Sequence, residues 1–243
     1  MFEFPEDEAS HENIEDKIMI GESLLLCAFY DNNKNSKKFK FPNSNFNSYP
    51  NGNSVINFSK ENNNNELELS GKLDEIHLFL RGGFILPYQD INEEKYIINT
   101  EKLREEKINL IINIDNFNQS RGEIFYDNDE LNTIDENKYY RVELFYSEKK
   151  LTFNTFKNNM ENYDYKDHII GKIELWRVNQ IFVMNDAKEK KTKLITLNIK
   201  FNDNKREDNF EGIYYPENDK VIFDISNRNK DISIFDINEI SFN

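Results

Sequence analysis

The pattern of apolar and polar residues is clearest around residues 76–87, where it changes abruptly at two glycines. Apolar residues alternate at Ile76, Leu78 and Leu80, which is the period of a half-buried β-strand. Arg81-Gly82-Gly83 follows, and two residues without a Cβ favour a tight corner. The apolar run 84–86 then ends at Pro87, which cannot donate to a central ladder. The pattern predicts two short strands joined by a corner.

Further short apolar runs, separated by turn residues, continue to the end of the chain. They lie at residues 39–42, 55–58, 67–69, 107–114, 122–126, 140–146, 151–153, 173–178, 181–184, 194–201, 220–225 and 232–242. Short strands at this spacing favour a β-sandwich over βαβ units. The abundance of Phe (20) and Tyr (12) agrees with strands, because aromatic side chains pack well on a pleated surface. We therefore expect an all-β fold.

Residues 18–29 differ from this alternation because they are apolar almost throughout. A continuous run of this length is typical of a strand buried on both faces, as in a parallel sheet or a barrel. No neighbouring segment is an obvious partner for such a strand. We expect the run to pack against the other β-segments or to promote association.

Composition excludes several classes of partner. The net charge of −14 disfavours nucleic acid and anionic membranes, because a phosphate-binding surface needs clustered Lys and Arg. No apolar stretch approaches the ~20 residues of a membrane span. Cys27 is the only cysteine, so an intrachain disulfide is impossible. The acidic first residues lack the basic start of a signal peptide, and the sequence indicates no compartment.

No group of residues has the spacing of a catalytic, cofactor or metal site. Glu6/Asp7 and Asp127/Asp129 are neighbouring carboxylates, but solvated turns explain them more simply. The histidines (His11, His77 and His168) are too scattered for a metal signature, and His77 is expected on the exposed face of its strand. The segment 21–25 lacks the second glycine of a nucleophile elbow. We predict no catalytic, cofactor-binding or metal-binding residue.

Four segments, taken together and in order, resemble the C-terminal part of glycoside hydrolase family 31, the α-glucosidases, maltases and their relatives. The segments are Phe2–Asp7, Ile20–Cys27, Leu80–Pro87 and Gly122–Glu130. The second is similar to the family's G-[DE]-[SA]-L-L-[VI]-[AC]-P run, and the third to R-[AG]-G-x-I-[IL]-P. The fourth resembles G-x-[LI]-[FY]-x-D-D-G-E. Ala28, Asn128 and Asp129 depart from these motifs, and the resemblance extends to about residue 183.

The resemblance implies a division of the chain into three parts. Residues 1–30 would be a remnant of the final strand of a TIM-type barrel, residues 31–92 a small proximal β-sandwich, and residues 93–243 a larger distal β-sandwich. The Arg81-Gly82-Gly83 corner would lead out of the proximal domain. We expect Arg81 to bind loop carbonyls, or a carboxylate of the other β-domain, through its fork of donors.

The resemblance also implies a function. Family members carry two Asp residues, a nucleophile and a general acid/base for retaining glycoside hydrolysis, in the barrel. Both lie upstream of the first matching segment. The expectation is a non-catalytic C-terminal β-domain portion of an α-glucosidase-like enzyme, whose parent would hydrolyse terminal α-linked glucose. Its expected partner is the catalytic barrel of the parent enzyme or a separate barrel chain, with oligosaccharide as a further ligand.

An alternative is a stand-alone β-sandwich module that binds carbohydrate or protein through aromatic platforms. The residues that suggest it are Trp176, Tyr139, Tyr140, Tyr146, Tyr214 and Tyr215. The same side chains could instead pack between the sheets.

Overall fold

The computed structural model describes residues 4, 14–29, 36–57, 65–71, 75–90, 100–127, 139–158, 168–182, 195–203, 206–226 and 231–243. The strands in chain order are β1 (Lys17–Ile20), β2 (Leu24–Cys27), β3 (Ser36–Lys40), β4 (Phe46–Tyr49), β5 (Ser54–Ile56), β6 (Glu66–Ser70), β7 (His77–Arg81), β8 (Phe84–Gln89), β9 (Ile108–Asn113), β10 (Ser120–Asp127), β11 (Tyr139–Ser147), β12 (Lys150–Asn158), β13 (Ile170–Trp176), β14 (Thr196–Phe201), β15 (Glu207–Glu211), β16 (Ile213–Tyr215), β17 (Lys220–Asp224) and β18 (Ile237–Phe242). The helical segments are α1 (Thr100–Arg104) and 3₁₀ turns at Ile14–Asp16, Val178–Gln180 and Ile234–Asp236. The prediction of an all-β chain is confirmed.

The first unit is a small sandwich. Its main sheet has the order β1-β2-β7-β4-β5 with antiparallel neighbours, and the pair β3-β6 forms a second layer. The core between the layers consists of Phe4, Leu25, Cys27, Phe39, Phe41, Phe46, Ile56 and Phe79. Edge-to-face ring contacts, such as Phe41 with Phe79 at 5.0 Å between centroids, fill it.

The run at residues 18–29 is a hairpin, so the prediction of one strand buried on both faces is wrong. β1 and β2 pair from Lys17 with Cys27 to Ile20 with Leu24, around a turn in which Gly21 has φ +60°. Because the chain reverses direction at this turn, the single apolar run becomes two paired strands. Alternate residues of each strand point to opposite faces of the sheet. Leu25 and Cys27 enter the first core, whereas Ile18 and Ile20 remain half exposed. The hairpin joins the same sheet as β7.

The alternation of residues in β7 predicted one buried face and one exposed face, but the structure has apolar contacts on both faces. Phe79 faces the first core and the half-buried His77 ring packs against Phe29 at 5.4 Å, so the expected exposure of His77 is wrong. Ile76, expected on the buried face, is exposed. Leu80 is buried, but against the second unit. Both faces of β7 carry apolar side chains, and the period alone does not distinguish them.

The second unit is built on one sheet of eleven strands, in the order β15-β14-β18-β12-β11-β10-β8-β9-β13-β17-β16. The sheet curls over its own core, because Phe223 of β17 and Phe242 of β18 lie far apart in strand order but have ring centroids 5.6 Å apart. The core between the two halves is aliphatic and aromatic, and includes Leu110, Val142, Leu175 and Ile240.

The chain changes sheets at the corner predicted from Arg81-Gly82-Gly83. β7 ends in the first sheet, and β8 begins in the second, between β9 and β10. β8 runs through Pro87 to Gln89, so the predicted stop at Pro87 is wrong. Pro87 faces Leu110 of β9, and the described pairing with β10 is at Phe84. A proline is tolerated where one edge of a strand makes no ladder bonds.

The predicted boundaries at residues 30 and 92 remain predictions. On strand membership, β1 and β2 belong with β4 and β7, while β8 belongs with β9. In the part of the chain that the structure describes, no helix is long and apolar enough to cross a membrane.

We predict that Cys27 reacts with thiol reagents only when the chain unfolds. The side chain is 1% exposed, and burial raises its pKa to about 12, with Lys17 opposing and Asp16 adding to the shift. At pH 8 about one native molecule in 10⁴ would carry the thiolate, whereas an unfolded thiol has a pKa of about 8.5. Reaction with a chromogenic disulfide should follow the urea unfolding curve; rapid stoichiometric reaction in buffer would contradict the packing of the hairpin.

Candidate functional site

The Arg81-Gly82-Gly83 corner is bound through its backbone to three separate segments. The Arg81 N–H donates to the Ser23 carbonyl in the β1–β2 turn, at 2.8 Å. The Gly82 N–H donates to the carbonyl of Asn45 before β4, at 2.9 Å, and the Gly83 N–H to that of Asn113 at the end of β9, at 2.7 Å. These bonds satisfy three consecutive donors and connect both sheets at one point.

Close packing explains why glycines occupy this corner. A Cβ on Gly82 would lie 3.2 Å from the Asn45 Cβ and 3.4 Å from both the Arg177 Nη1 and the Ile114 carbonyl oxygen. Gly83 has φ +88°, in the region that L side chains rarely adopt, and Asp115 lies directly beside it. The corner therefore favours glycine for two reasons, close packing at Gly82 and backbone conformation at Gly83.

Arg81 contacts a loop hydroxyl and two aromatic rings, and its bonds to loop carbonyls or to a carboxylate remain a prediction. Its Nε donates to the Ser44 hydroxyl at 3.2 Å, in the loop before β4. Its guanidinium lies 4.3 Å from the ring centroid of Phe4 and 5.3 Å from that of Phe84. Arginine stacks well on aromatic faces because its planar group is weakly hydrated. Arg81 thus links the core of the first unit to the beginning of β8.

Arg177 donates hydrogen bonds to a loop carbonyl and to a loop side chain. It follows β13 directly, has left-handed backbone (φ 65°) and is buried. Its Nη1 donates to the Ile114 carbonyl at 2.8 Å and its Nη2 to the Asn116 side-chain oxygen at 3.1 Å. Burial lowers the Arg177 pKa, while Asp219 and Asp115 oppose the shift.

The Asn116 side chain connects Arg177 to the first unit. Its Oδ1 also accepts a hydrogen bond from the Asn45 Nδ2 at 2.7 Å. The fully buried Asn113 makes a second such connection, because its Nδ2 donates to the Leu80 carbonyl at 2.9 Å. Asn45 and Asn113 are buried, whereas Asn116 is exposed. Hydrogen bonds from buried amides fix the relative position of two segments more narrowly than apolar contact does.

A tryptophan closes the joint on its apolar side. Trp176, at the end of β13, is fully buried in a cluster with Leu80 and Ile111. Its ring lies against Gly52, where an added Cβ would be 3.0 Å from the Trp176 Cε2 and where φ is +85°. The half-buried side chains that complete the cluster are Leu24, Tyr49, Phe84, Leu86 and Tyr88. Members of both sheets contribute, so the cluster is an interface core.

A buried carboxylate holds the tryptophan in place. The Glu174 Oε2 accepts from the Trp176 indole nitrogen at 3.0 Å, and its Oε1 accepts from the Tyr88 hydroxyl at 3.1 Å. The Lys220 Nζ lies 3.4 Å from Oε2 and supplies the opposite charge. Burial, followed by Glu174 and Asp90, raises the pKa of Tyr88, which keeps this hydroxyl protonated as a donor.

We call these residues the joint: the corner itself, Asn45, Asn113, Asn116, Trp176 and Arg177, with Gly52 and Glu174. Its polar atoms bond mainly to one another and to backbone, which suits a role in fixing geometry. Among the residues that the structure describes, no group of three or more His, Cys, Asp or Glu side chains could hold a metal ion. The chemistry of the joint is structural.

The outer face of the first sheet, next to the joint, is aliphatic. Pairing places Ile18, Leu26 and Leu78 in one row and Ile20, Leu24 and Leu80 in the next. Leu80 is covered by the second unit, whereas Ile18 and Ile20 are each 50% exposed and Ile76 is 74% exposed. We call Ile18, Ile20, Leu26, Ile76 and Leu78 the aliphatic face. An aliphatic patch on an edge strand is unusual for a monomer surface.

Of the carboxylates and histidines singled out in the sequence, the structure describes the side chains of His77 and His168. His11, Glu6/Asp7 and Asp129 lie outside the described residues, as does the side chain of Asp127. His168 is buried in the second core and packs against Tyr126, with 4.2 Å between ring centroids. His77 packs in the first unit. The structure brings neither histidine to the joint.

The aromatic residues that suggested a binding platform have separate positions. Trp176, Tyr140 and Tyr146 are buried, as the packing interpretation expects. Tyr139, Tyr214 and Tyr215 are half buried, and the Tyr214 hydroxyl donates to Asn179 at 3.2 Å. These six side chains do not form one platform.

Arg177, Asn113 and Gly52 were missed in the sequence. In the sequence, Arg177 directly follows an apolar strand. An arginine at that position is normally interpreted as the polar residue that ends the strand. The sequence around a turn glycine such as Gly52 does not indicate that a distant aromatic ring packs against it. Both roles depend on contacts between segments far apart in the chain, which a local pattern does not contain.

Known proteins resemble this chain in sequence and in fold. Residues 1–86 match the sequence model of the glycosyl hydrolase family 31 C-terminal domain. A human protein, probable maltase-glucoamylase 2, is 25% identical over 180 residues, which cover 74% of this chain and 7% of that protein. The glucosidase II alpha subunit has a TM-score of 0.69 at 14% identity, over 94% of this chain and 24% of that one.

A bacterial structure shares the fold at lower identity. The family 31 dextranase of Flavobacterium johnsoniae, solved with glucose, has a TM-score of 0.59 at 9% identity, over 93% of this chain and 26% of that one. At these identities the solved structures show the fold alone. The chain spans about a quarter or less of the length of these relatives. The resemblance predicted from the four segments is confirmed.

We predict that Gly52→Ala destabilises the chain by about 2–4 kcal/mol, because it combines unfavourable backbone with overpacking against Trp176. Gly21→Ala is the matched control, since Gly21 also has positive φ (+60°) but nothing lies within 4 Å of its added Cβ. The control should cost only the backbone part, about 1 kcal/mol. Urea unfolding measures both; equal losses would mean that the ring contact contributes nothing.

We also predict that Arg177→Lys lowers the unfolding free energy by about 2–3 kcal/mol, since hydrogen bonds from a buried cation to Ile114 and Asn116 are lost. Arg121→Lys provides the comparison, because the Arg121–Glu22 pair is mostly exposed and should contribute about 0–1 kcal/mol. Thermal or urea denaturation distinguishes them, and a loss at Arg177 no larger than at Arg121 would contradict its role in the joint.

Proposed function

We propose that this chain, whose residues 1–86 match the sequence model of the glycosyl hydrolase family 31 C-terminal domain, supports the catalytic domain of an α-glucosidase-like enzyme by packing against it. The observation that carries the proposal is the aliphatic face, which lies within the matched residues and extends from the edge strand β1 across β2 to β7. Nothing in the joint resembles a catalytic centre. The supporting role is inferred from the exposed aliphatic face and from the rigidity of the joint.

The aliphatic face has the chemistry of one half of an interface core. Fully burying an Ile or Leu side chain contributes about 1.5–3 kcal/mol relative to leaving it exposed. Ile18, Ile20 and Ile76 still expose half or more of their surface, so covering them would contribute several such increments. Charged side chains are depleted at interface cores, as they are here. The face suits a large apolar partner surface.

The partner we propose is a family 31 catalytic domain, in the same polypeptide or in a separate chain. The family match supports this partner, because a C-terminal domain of the family adjoins the remainder of such an enzyme. The proposed position of β1 against the partner also explains why an edge strand carries isoleucine instead of charge.

The joint supports the proposal because it would extend the attachment to the second unit. Amide side chains, Arg177 and Trp176 connect the two sheets, so a catalytic domain that binds the first unit would be held relative to both. A rigid buttress of this kind orders the loops that it contacts without entering the chemistry. The second unit would then extend the surface next to the catalytic domain.

The activity we propose for the whole enzyme is hydrolysis of terminal α-linked glucose. The similarity to probable maltase-glucoamylase 2 and to the glucosidase II alpha subunit supports it. The two catalytic carboxylates of a retaining glycosidase would belong to the catalytic domain. This chain would stabilise the catalytic domain and extend the surface beside it, and it would contribute no catalytic residue. A stand-alone binding module is less favoured, because Trp176, Tyr140 and Tyr146 are buried and offer no platform.

We predict that Ile18→Lys/Ile20→Lys abolishes association with a family 31 catalytic domain from the same source, because two charges would be buried in the contact. Phe117→Lys is the control, since Phe117 is 82% exposed in the β9–β10 turn and is not part of the aliphatic face. Co-purification and heat inactivation of α-glucosidase activity provide the readouts. The wild-type chain and the control should bind the catalytic domain and slow its inactivation.

Unchanged binding by the double variant would refute the docking face. In the same assays the 243-residue chain alone should release no nitrophenol from a nitrophenyl α-glucoside above a heat-killed control. Turnover by the purified chain would refute the supporting role.

A further inference from the structure

A groove that shares Phe84 and Leu86 with the Trp176 cluster carries a second set of unexplained groups. It has a volume of about 790 Å³ and lies between the β1–β2 turn and the outer faces of β8, β10, β11 and β12. Residues of both units form it: Glu22 and Ser23 from the turn, and Arg121, Glu143 and Asn154 among those from the second sheet. Its volume is in the range of small-ligand sites, ~300–1,000 Å³.

The strand register arranges the outer face of β10–β12 in rows. Arg121 pairs with Phe145, which pairs with Thr152. The next row is Glu123, Glu143 and Asn154, and the third is Phe125, Arg141 and Phe156. A polar row is thus flanked on each side by a row that contains phenylalanine and arginine. Successive rows lie about 7 Å apart, the spacing of two residues along a strand.

The middle row contradicts the ordinary rules for a stable sheet. Glu123 and Glu143 lie directly opposite each other, and like charges at such positions are destabilising. Arg141 partly compensates, at 2.6 Å from Glu123 and 3.1 Å from Glu143. Local arrangements that reduce stability without a structural gain are expected at functional sites.

The groove offers hydrogen bonding of both kinds beside an apolar surface. Its carboxylates accept, its guanidinium groups donate, and the amide of Asn154 does both. Phe145 is 44% exposed within it, and Leu86 and Pro87 form part of its lining. The exposed Phe145 ring can take the C–H face of a flat ligand.

The charges narrow the class of ligand. Three carboxylates (Glu22, Glu123 and Glu143) face two guanidinium groups (Arg121 and Arg141), and each arginine is already paired with a glutamate. A strongly anionic ligand would meet the carboxylates, and a strongly cationic ligand would meet the arginines. A neutral ligand with many hydroxyls satisfies both sets, because each hydroxyl donates and accepts.

We propose that this groove binds a neutral oligosaccharide, with Phe145 under a sugar ring and Glu143 and Asn154 bonded to its hydroxyls. The site is separate from the aliphatic face, so the proposal does not depend on docking to a catalytic domain. The Glu22–Arg121 contact at 2.6 Å spans the two units, which places the ligand where the joint holds both walls of the groove in position.

Isothermal titration of the 243-residue chain tests the proposal, with maltotriose and cellotriose as neutral probes. A dissociation constant on the order of 1 mM is expected for at least one of them. Phe145→Ala and Asn154→Ala should each weaken binding tenfold or more. Phe117→Ala removes a phenylalanine that is exposed and lies outside the groove lining, and it should leave binding unchanged.

Glu143→Gln separates binding from folding. It removes the repulsion with Glu123, so the melting temperature should stay the same or rise, while sugar affinity falls at least fivefold. Absence of binding to both sugars at about 20 mM would overturn the proposal, as would binding that Phe145→Ala and Glu143→Gln leave unchanged. A groove that is protected by a protein partner and takes no sugar would also overturn it.

Discussion

The relative position of the two sheets depends on how closely backbone approaches backbone and ring at three glycines. At Gly82 the neighbours of an added Cβ include a main-chain oxygen, which cannot rotate away as the end of a long side chain can. At Gly52 the neighbour is the ring of Trp176, which a hydrogen bond from its indole nitrogen to Glu174 holds in one orientation. The contact distances of the joint follow from these glycines, and the position of every outer surface follows from the joint.

The joint also explains why β7 is apolar on both faces. Phe79 packs in the first core, and Leu80, on the other face, packs under Trp176. The interface ends within the strand, so Leu78 and Ile76 on that same face pass from half-buried to exposed. A single strand therefore belongs to a core, to an internal interface and to an outer surface. The aliphatic face continues the internal interface, which is the physical basis for proposing that a further domain covers it.

Strand content could be predicted from the sequence because period-2 alternation and turn residues are local. The corner could be placed for the same reason, since two glycines after an apolar strand are visible without a structure. The hairpin at residues 17–27 was missed because its turn, Gly21-Glu22-Ser23, interrupts the apolar run only briefly. Pro87 was read as a stop because a sequence does not show whether a strand has one partner or two. The roles of Arg177 and Asn113 were beyond prediction, because their partners lie in other segments.

The arginines show two different uses of the same side chain. Arg121 and Arg141 lie on the surface beside carboxylates, where such pairs contribute little to stability and leave donors accessible to a ligand. Arg177 is buried and donates to a carbonyl and an amide, so its charge has lost water with no carboxylate among these two acceptors. Burial of that kind costs free energy, and an apolar side chain would be expected to stabilise the fold at least as well. An apolar residue could not make directional hydrogen bonds. The Arg177 guanidinium requires its acceptors on Ile114 and Asn116 at defined distances, and Asn116 also accepts a hydrogen bond from Asn45 of the first unit. We therefore interpret Arg177 as the residue that selects one arrangement of the two units among those that apolar packing alone would allow.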